Sequence, residues 1–233
     1  MESLINDPLC RGEVLTIEDM LQPEACELPN HKWYVLRATY CRAQKAMERV
    51  QKNGTLAFLP MECKSTVIEG VRHWKKVPCT TTLFFVYGTY DKVRSFTHRD
   101  TKSEDAIPYV DFAFDHTHKE ENGRDRIMTV SFSEMQNFIR IVNAAIPESY
   151  SVSPEEIHYR PGGLVRVTDG PFKGVVGHVA RIHSQQRVVV TIEGVISFAS
   201  TYIPKAWLEP VKTELSNGKV KSENGKLFLL QRD

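Results

Sequence analysis

Residues 164–182 read LVRVTDGPFKGVVGHVARI. Apolar residues alternate up to Val167, and alternation resumes after Gly174, the pattern of two half-buried strands joined by a turn. The turn holds Gly170, Pro171, Phe172 and Gly174. Gly170 can take positive φ without a Cβ penalty, and Gly177 can sit where two backbones crowd. Phe172 is the anomaly, because it places a large ring at the tip of a turn, where water is expected.

Working outward, residues 163–209 hold a series of short alternating strands with glycine-containing turns between them. They are Leu164–Thr168, Gly174–His183, Arg187–Ile192 and Ile196–Ala199, with a terminal turn at Ile203–Leu208. With no helical periodicity, this is a small all-β barrel over 162–211. Before it, residues 147–161 (PESYSVSPEEIHYRP) carry three prolines and read as an interdomain linker. Residues 31–146 are mixed. Lys32–Tyr40, Leu56–Leu59, Thr81–Tyr87 and Arg126–Val130 read as strands. Lys64–Glu69 and Val71–Val77 form a polar hairpin turning at Gly70. Arg42–Lys52 is a helix with Ala43, Met47 and Val50 inward, Asp91–Thr97 a short one, and Ser133–Val142 a third, capped by Ser133. Residues 98–125 are polar and broken. The fold expected is α+β, a mainly antiparallel sheet with helices on it, followed by the barrel. Residues 1–30 are an acidic arm with one short helix near Ile17–Leu21, and 212–233 are a tail.

Composition narrows the class. The chain has 233 residues, 41% hydrophobic and 25% charged, with net charge +1. That is an ordinary globular balance. No stretch reaches the roughly 18 apolar residues of a membrane span. The first 30 residues lack the basic start and apolar block of a secretory signal. Five scattered cysteines (Cys10, Cys26, Cys41, Cys63, Cys79) with no CxxC pair fit a reduced, cytoplasmic compartment. Charge is uneven: residues 1–30 hold one Lys/Arg and seven acids, whereas 31–147 hold 18 Lys/Arg and 13 acids. A mildly basic middle permits a polyanion partner.

The 20-residue pattern GLVRVTDGPFKGVVGHVARI, with RVVVTIE after it, resembles a KOW motif. WYVLRATYCRAQKAMERVQKNG resembles the first strand and helix of the N-terminal (NGN) domain of NusG-like transcription elongation factors. LFFV (83–86) and VSFSEMQNFIRIV (130–142) match two further landmarks. The resemblance covers about residues 32–211, and its barrel is the SH3-like KOW domain. The long arm and polar insert look like the specialised RfaH-like and UpxY-like antiterminators of capsule polysaccharide operons. One departure stands out: the family's proline-glycine-tyrosine turn before LFFV is here Thr80-Thr81-Thr82-Leu83.

The resemblance implies a non-enzymatic factor that binds the clamp helices of bacterial RNA polymerase and suppresses pausing or termination. The implied contact surface is Leu83 and Phe85, which share a strand face by alternation, with Tyr34 and Phe84 beside them. Plain core packing is the competing reading for all four. Arg72-His73-Trp74-Lys75-Lys76 is the nucleic-acid candidate, cations beside a ring that can contact phosphates and stack on an unpaired base near the upstream fork. In KOW barrels of this kind the turn aromatic is exposed for a partner, the termination factor Rho or a small-subunit ribosomal protein. Phe172 is then an anchor with Lys173 on its rim, shaped by Gly170, Pro171, Gly174 and Gly177. The alternative folds Phe172 back over the barrel mouth. The chain is expected to act as a monomer.

Other chemistry finds little support. Asp115-His116-Thr117-His118 lacks further ligands at recognisable spacing, so no metal is expected. Cys41 opens a helix but has no histidine or asparagine context for a nucleophile. No phosphate-binding loop, GxSxG or dinucleotide fingerprint is present, and no cofactor is implied. A ribosome- or RNA-associated KOW protein is the rival reading, though such proteins are usually far more basic. The β-branched runs VRV, VVGHVARI and RVVVTI oppose a helical alternative, so a constitutive barrel on a loose linker is expected.

Overall fold

The computed structural model describes residues 16–22, 25–69, 71–144, 150–152, 158–182, 185–211, 214–216, 219–221 and 227–229. Its first unit is an antiparallel sheet in the order β2 (Ala57–Phe58), β5 (Leu83–Gly88), β1 (Lys32–Ala38), β6 (Val110–Phe112). A short strand, β9 (Thr129–Val130), extends the β6 side by pairing with Trp33 and Tyr34. The two central strands are apolar throughout because both faces are covered. Trp33, Val35, Phe85 and Tyr87 point to one face, and Tyr34, Leu36, Phe84 and Val86 to the other. Helix α4 (Phe132–Asn143) lies on the first face through Met135, Phe138 and Ile139. Helices α2 (Ala43–Lys52) and α3 (Tyr90–Arg94) cover the second through Ala43, Ala46, Val50 and Val93.

Two hairpins stand outside this sheet. β3 (Met61–Ile68) pairs with β4 (Val71–Pro78), and β7 (Phe114–Lys119) pairs with β8 (Asp125–Ile127). Residues 98–125 are thus more ordered than their polarity suggests, with β6 completing the main sheet. Gly70, the expected turn, lies outside the described residues. Helix α4 is capped by Ser131, two residues before the Ser133 expected. Its capping box is complete: the Glu134 N–H donates to Ser131 Oγ at 3.4 Å and the Ser131 N–H to the Glu134 carboxylate at 3.2 Å. Cys41 precedes the N-cap of α2, which is Arg42.

The second unit is an all-β sheet in the order β10 (Tyr150–Val152), β14 (Ile196–Ala199), β13 (Gln185–Ile192), β12 (Val176–Ile182), β11 (His158–Val167), β15 (Leu208–Pro210). A 3-10 turn at Lys205–Trp207 precedes β15. The mixed α+β domain with a small β barrel behind it is therefore observed. Part of 147–161 is strand rather than open chain, since β10 and the start of β11 pair into the barrel sheet. Gly177 is required where β12 meets β13: a Cβ there would lie 2.5 Å from the Val189 carbonyl oxygen. Three strands of the tail, β16 (Glu214–Ser216), β17 (Lys219–Lys221) and β18 (Leu227–Leu229), form a separate antiparallel sheet.

The barrel is docked, which corrects the expectation of a loose tether. Asn137 on α4 uses its side-chain amide like a strand neighbour. The Val176 N–H donates to Asn137 Oδ1 at 2.7 Å, and Asn137 Nδ2 donates back to the Val176 carbonyl. Beside it, the Phe138 ring meets Phe58 and Phe85 of the sheet and Phe198 of the barrel, edge-on to Phe198 at 6.4 Å between centroids. The N-terminal arm covers a further side of α4. Helix α1 (Ile17–Met20) buries Met20 completely, Gln136 Nε2 donates to the Met20 carbonyl at 2.6 Å, and Arg140 donates to the Leu21 carbonyl at 3.1 Å.

Candidate functional site

The aromatic residues around the LFFV strand do not form an open patch. Phe84 and Phe85 are fully buried and Tyr34 nearly so. The cause is the two-sided cover just described: Phe85 lies under Phe138 of α4 at 6.0 Å, and Tyr34 packs on Phe112 at 5.7 Å. Burial also raises the Tyr34 hydroxyl pKa above its ordinary value. As they stand, these three are core. Leu83 differs. It begins β5, opposite Arg37, on the same face as Phe85, and it is only partly buried at the edge of the cluster.

The Phe172 ring is buried, at 3% exposure, so its expected exposure is corrected in favour of the fold-back alternative. The turn curls on itself: Lys173 N donates to the Gly170 carbonyl at 3.1 Å and Val175 N to the Phe172 carbonyl at 3.0 Å. Gly170 (φ 78°) and Gly174 (φ 86°) supply the left-handed steps. The ring joins the cluster holding Val167, Val175 and Ile203, where burial is worth about 1.5–3 kcal/mol. Gly170 is further constrained from outside, because a Cβ would lie 2.5 Å from the Trp207 ring. Pro171 and Lys173 remain exposed, and among the described residues of the barrel Tyr202 is an exposed aromatic.

The β3–β4 hairpin is an open part of the first unit. Arg72, His73, Trp74, Lys75 and Lys76 are all exposed, Trp74 at 49%. Strand β10 approaches β3, but over Lys64–Val67 and Val71–Lys76 the ribbon is exposed among the described residues. Glu69, after the end of β3, adopts φ 51°, in the left-handed region. At the base, Glu62 is buried and pairs with Lys64 at 3.0 Å, a hydrogen bond that raises the Lys64 pKa. Arg72, Lys75 and Lys76 have no ion pair among the described residues.

Two features were not read from the sequence. Arg42 lies between the rings of Tyr40 and Tyr109, at 5.5 and 5.1 Å. Beside it a groove of about 470 Å³ runs along β6, lined by Arg37, Thr39, His98 and Arg99, with Arg99 held on Asp111 by two bonds of 2.6 and 2.8 Å. Tyr109 is far from Arg42 in sequence, so no local pattern signals their meeting. In the second hairpin, His118 and His116 serve Asp115 and Asp125, and hydrogen bonds from Thr117 and then His118 hold the Asp115 carboxyl well below its usual range. Among the described residues no three His, Cys, Asp or Glu side chains gather as a metal site would need. Nor does any described helix have the length and apolarity to cross a membrane.

Residues 161–193 match the KOW motif, spanning β11 to β13. The solved structure of NusG from Thermotoga maritima, described for its domain interaction, is similar at a TM-score of 0.37 and 18% identity, covering 78% of this chain and 98% of that one. No curated protein matches the chain.

Proposed function

We propose that this chain is a NusG-like transcription elongation or antitermination factor of the cytoplasm, acting as a monomer by binding rather than by covalent chemistry. The observation that carries the reading is the order of parts. An antiparallel sheet domain with a cationic ribbon on it is followed by a barrel bearing a KOW motif. The sheet domain engages bacterial RNA polymerase at its clamp helices around Leu83. Phe85, Phe84 and Tyr34 serve by holding that edge in place. The ribbon Arg72–Lys76 contacts nucleic acid at the upstream fork. The barrel offers Lys173 to Rho or a small-subunit ribosomal protein, with Phe172 shaping the turn from within. Capsule polysaccharide operons are the targets this reading favours, in the manner of UpxY-like antiterminators.

The test is capture of nucleic-acid-free polymerase core by the full chain, wild type beside Leu83→Asp. Wild type is expected to retain polymerase, and Leu83→Asp to lose it while its thermal melt stays cooperative. Failure of the wild type to capture polymerase, with sedimentation on ribosomes instead, would replace this reading by one in translation.

A further inference from the structure

The ladder of the β3–β4 ribbon sorts its side chains. Residues directly opposite one another in an antiparallel pair project to the same side, and neighbours along a strand alternate. The register therefore puts Cys63 with Lys76, Ser65 with Trp74, and Val67 with Arg72 on one side. The other side holds Glu62 with Val77, Lys64 with Lys75, and Thr66 with His73. The two sides differ in kind. The first has two cations, no carboxylate and the ribbon's single large aromatic. The second has its charge partly neutralised, with Lys64 on Glu62 at 3.0 Å, and carries no aromatic beyond His73.

Trp74 is central on its side. Arg72 lies two residues towards the tip and Lys76 two towards the base, each about 7 Å away along the strand. The partner across the ladder is Ser65, too small to cover an indole, and the ring stays half exposed. Neither flanking cation has an ion pair among the described residues.

Resting on the reading of this ribbon as a nucleic-acid contact, we infer that the Arg72–Trp74–Lys76 side is a platform for one unpaired strand, and that the Lys64–Lys75 side is not. A base lies on the indole, and its flanking phosphates meet the guanidinium and the ammonium. An unpaired strand is favoured over a duplex because stacking needs a free base face, which a duplex has already used. The ring also sits in mid-strand, where it cannot wedge between base steps as a tip residue would. The neutral hydrogen-bonding groups on that side are few, Ser65, the Cys63 thiol and the indole N–H, so the platform reads little sequence.

The experiment is fluorescence anisotropy of the full chain with labelled oligothymidylate, alone and annealed to its complement. The single strand is expected to bind more tightly than the duplex and to quench tryptophan emission. Trp74→Ala should weaken it by about ten-fold or more, and Trp74→Phe should restore most of the loss. Lys76→Glu and Lys64→Glu change the charge equally but on opposite sides. Only Lys76→Glu should weaken binding strongly. Equal or better binding to the duplex, unaltered binding by Trp74→Ala, or equal damage from the two reversals would each overturn the inference. A chain that captures polymerase yet ignores the oligonucleotide sinks this inference alone. One that binds the oligonucleotide but not polymerase sinks the elongation-factor reading and leaves the platform standing.

Discussion

Trp74 and Phe172 are two of the aromatic residues that the sequence marks for partners, and the fold treats them oppositely. Trp74 is 49% exposed on its ribbon, while Phe172 is 3% exposed inside its own turn. The neighbours explain the difference. Phe172 is set among glycines that let the chain curl, next to a hydrophobic cluster within reach. Trp74 is fixed in a regular ladder among Arg72, His73, Lys75 and Lys76, and a regular strand cannot turn a side chain inward where no layer lies against it. A turn tip is thus a poor guarantee of exposure, and a charged strand is a better one.

The contrast can be broken most directly by truncation. Phe172→Ala should cost about 3–5 kcal/mol of folding stability by chemical denaturation, whereas Trp74→Ala should change it by less than about 0.5 kcal/mol. Equal, small effects would return Phe172 to the surface. Gly170→Ala should cost about 1–3 kcal/mol, since it combines a left-handed backbone with a contact on the Trp207 ring. Asn137→Leu removes both bonds to Val176 and should cost about 1–2 kcal/mol. It should also shift amide resonances on β12 and α4 together, and unshifted β12 resonances would mean the barrel is not held there. The smallest effect concerns Cys79, between the ribbon and the buried β5. Burial pushes its thiol pKa up to about 12, so it stays protonated across the neutral range. Alkylation near pH 8, followed by peptide mass mapping, should modify the exposed Cys26 and Cys41 well before Cys79.

Much of the architecture was legible because it rests on local pattern. Alternation located β12, β13 and β14, continuous apolar runs located β1 and β5, and helical spacing located α2 and α4. The glycine roles followed from backbone geometry alone. What escaped depended on distant partners. Nothing near Asn137 announces that its amide will pair with Val176, and nothing near Met20 announces the side of α4 it covers. Polar spacing hid β6, because an edge strand of three residues carries too little periodicity to register. At the candidate site the ribbon's cations were readable, but their division between two sides was not, since it depends on the ladder register. For the aromatic residues near Leu83 the choice between contact surface and core stayed open for a similar reason: alternation tells which residues share a side, not whether a helix already lies upon it.

Phe138 touches Phe58 and Phe85 on one flank and Phe198 on the other. A single ring therefore belongs to two hydrophobic interiors at once. Heat that loosens the barrel strips one flank of that ring, and heat that loosens the sheet strips the other. Two modules that are separate in sequence should accordingly melt as one calorimetric transition, and excising either half leaves the other with an apolar wound that water must fill.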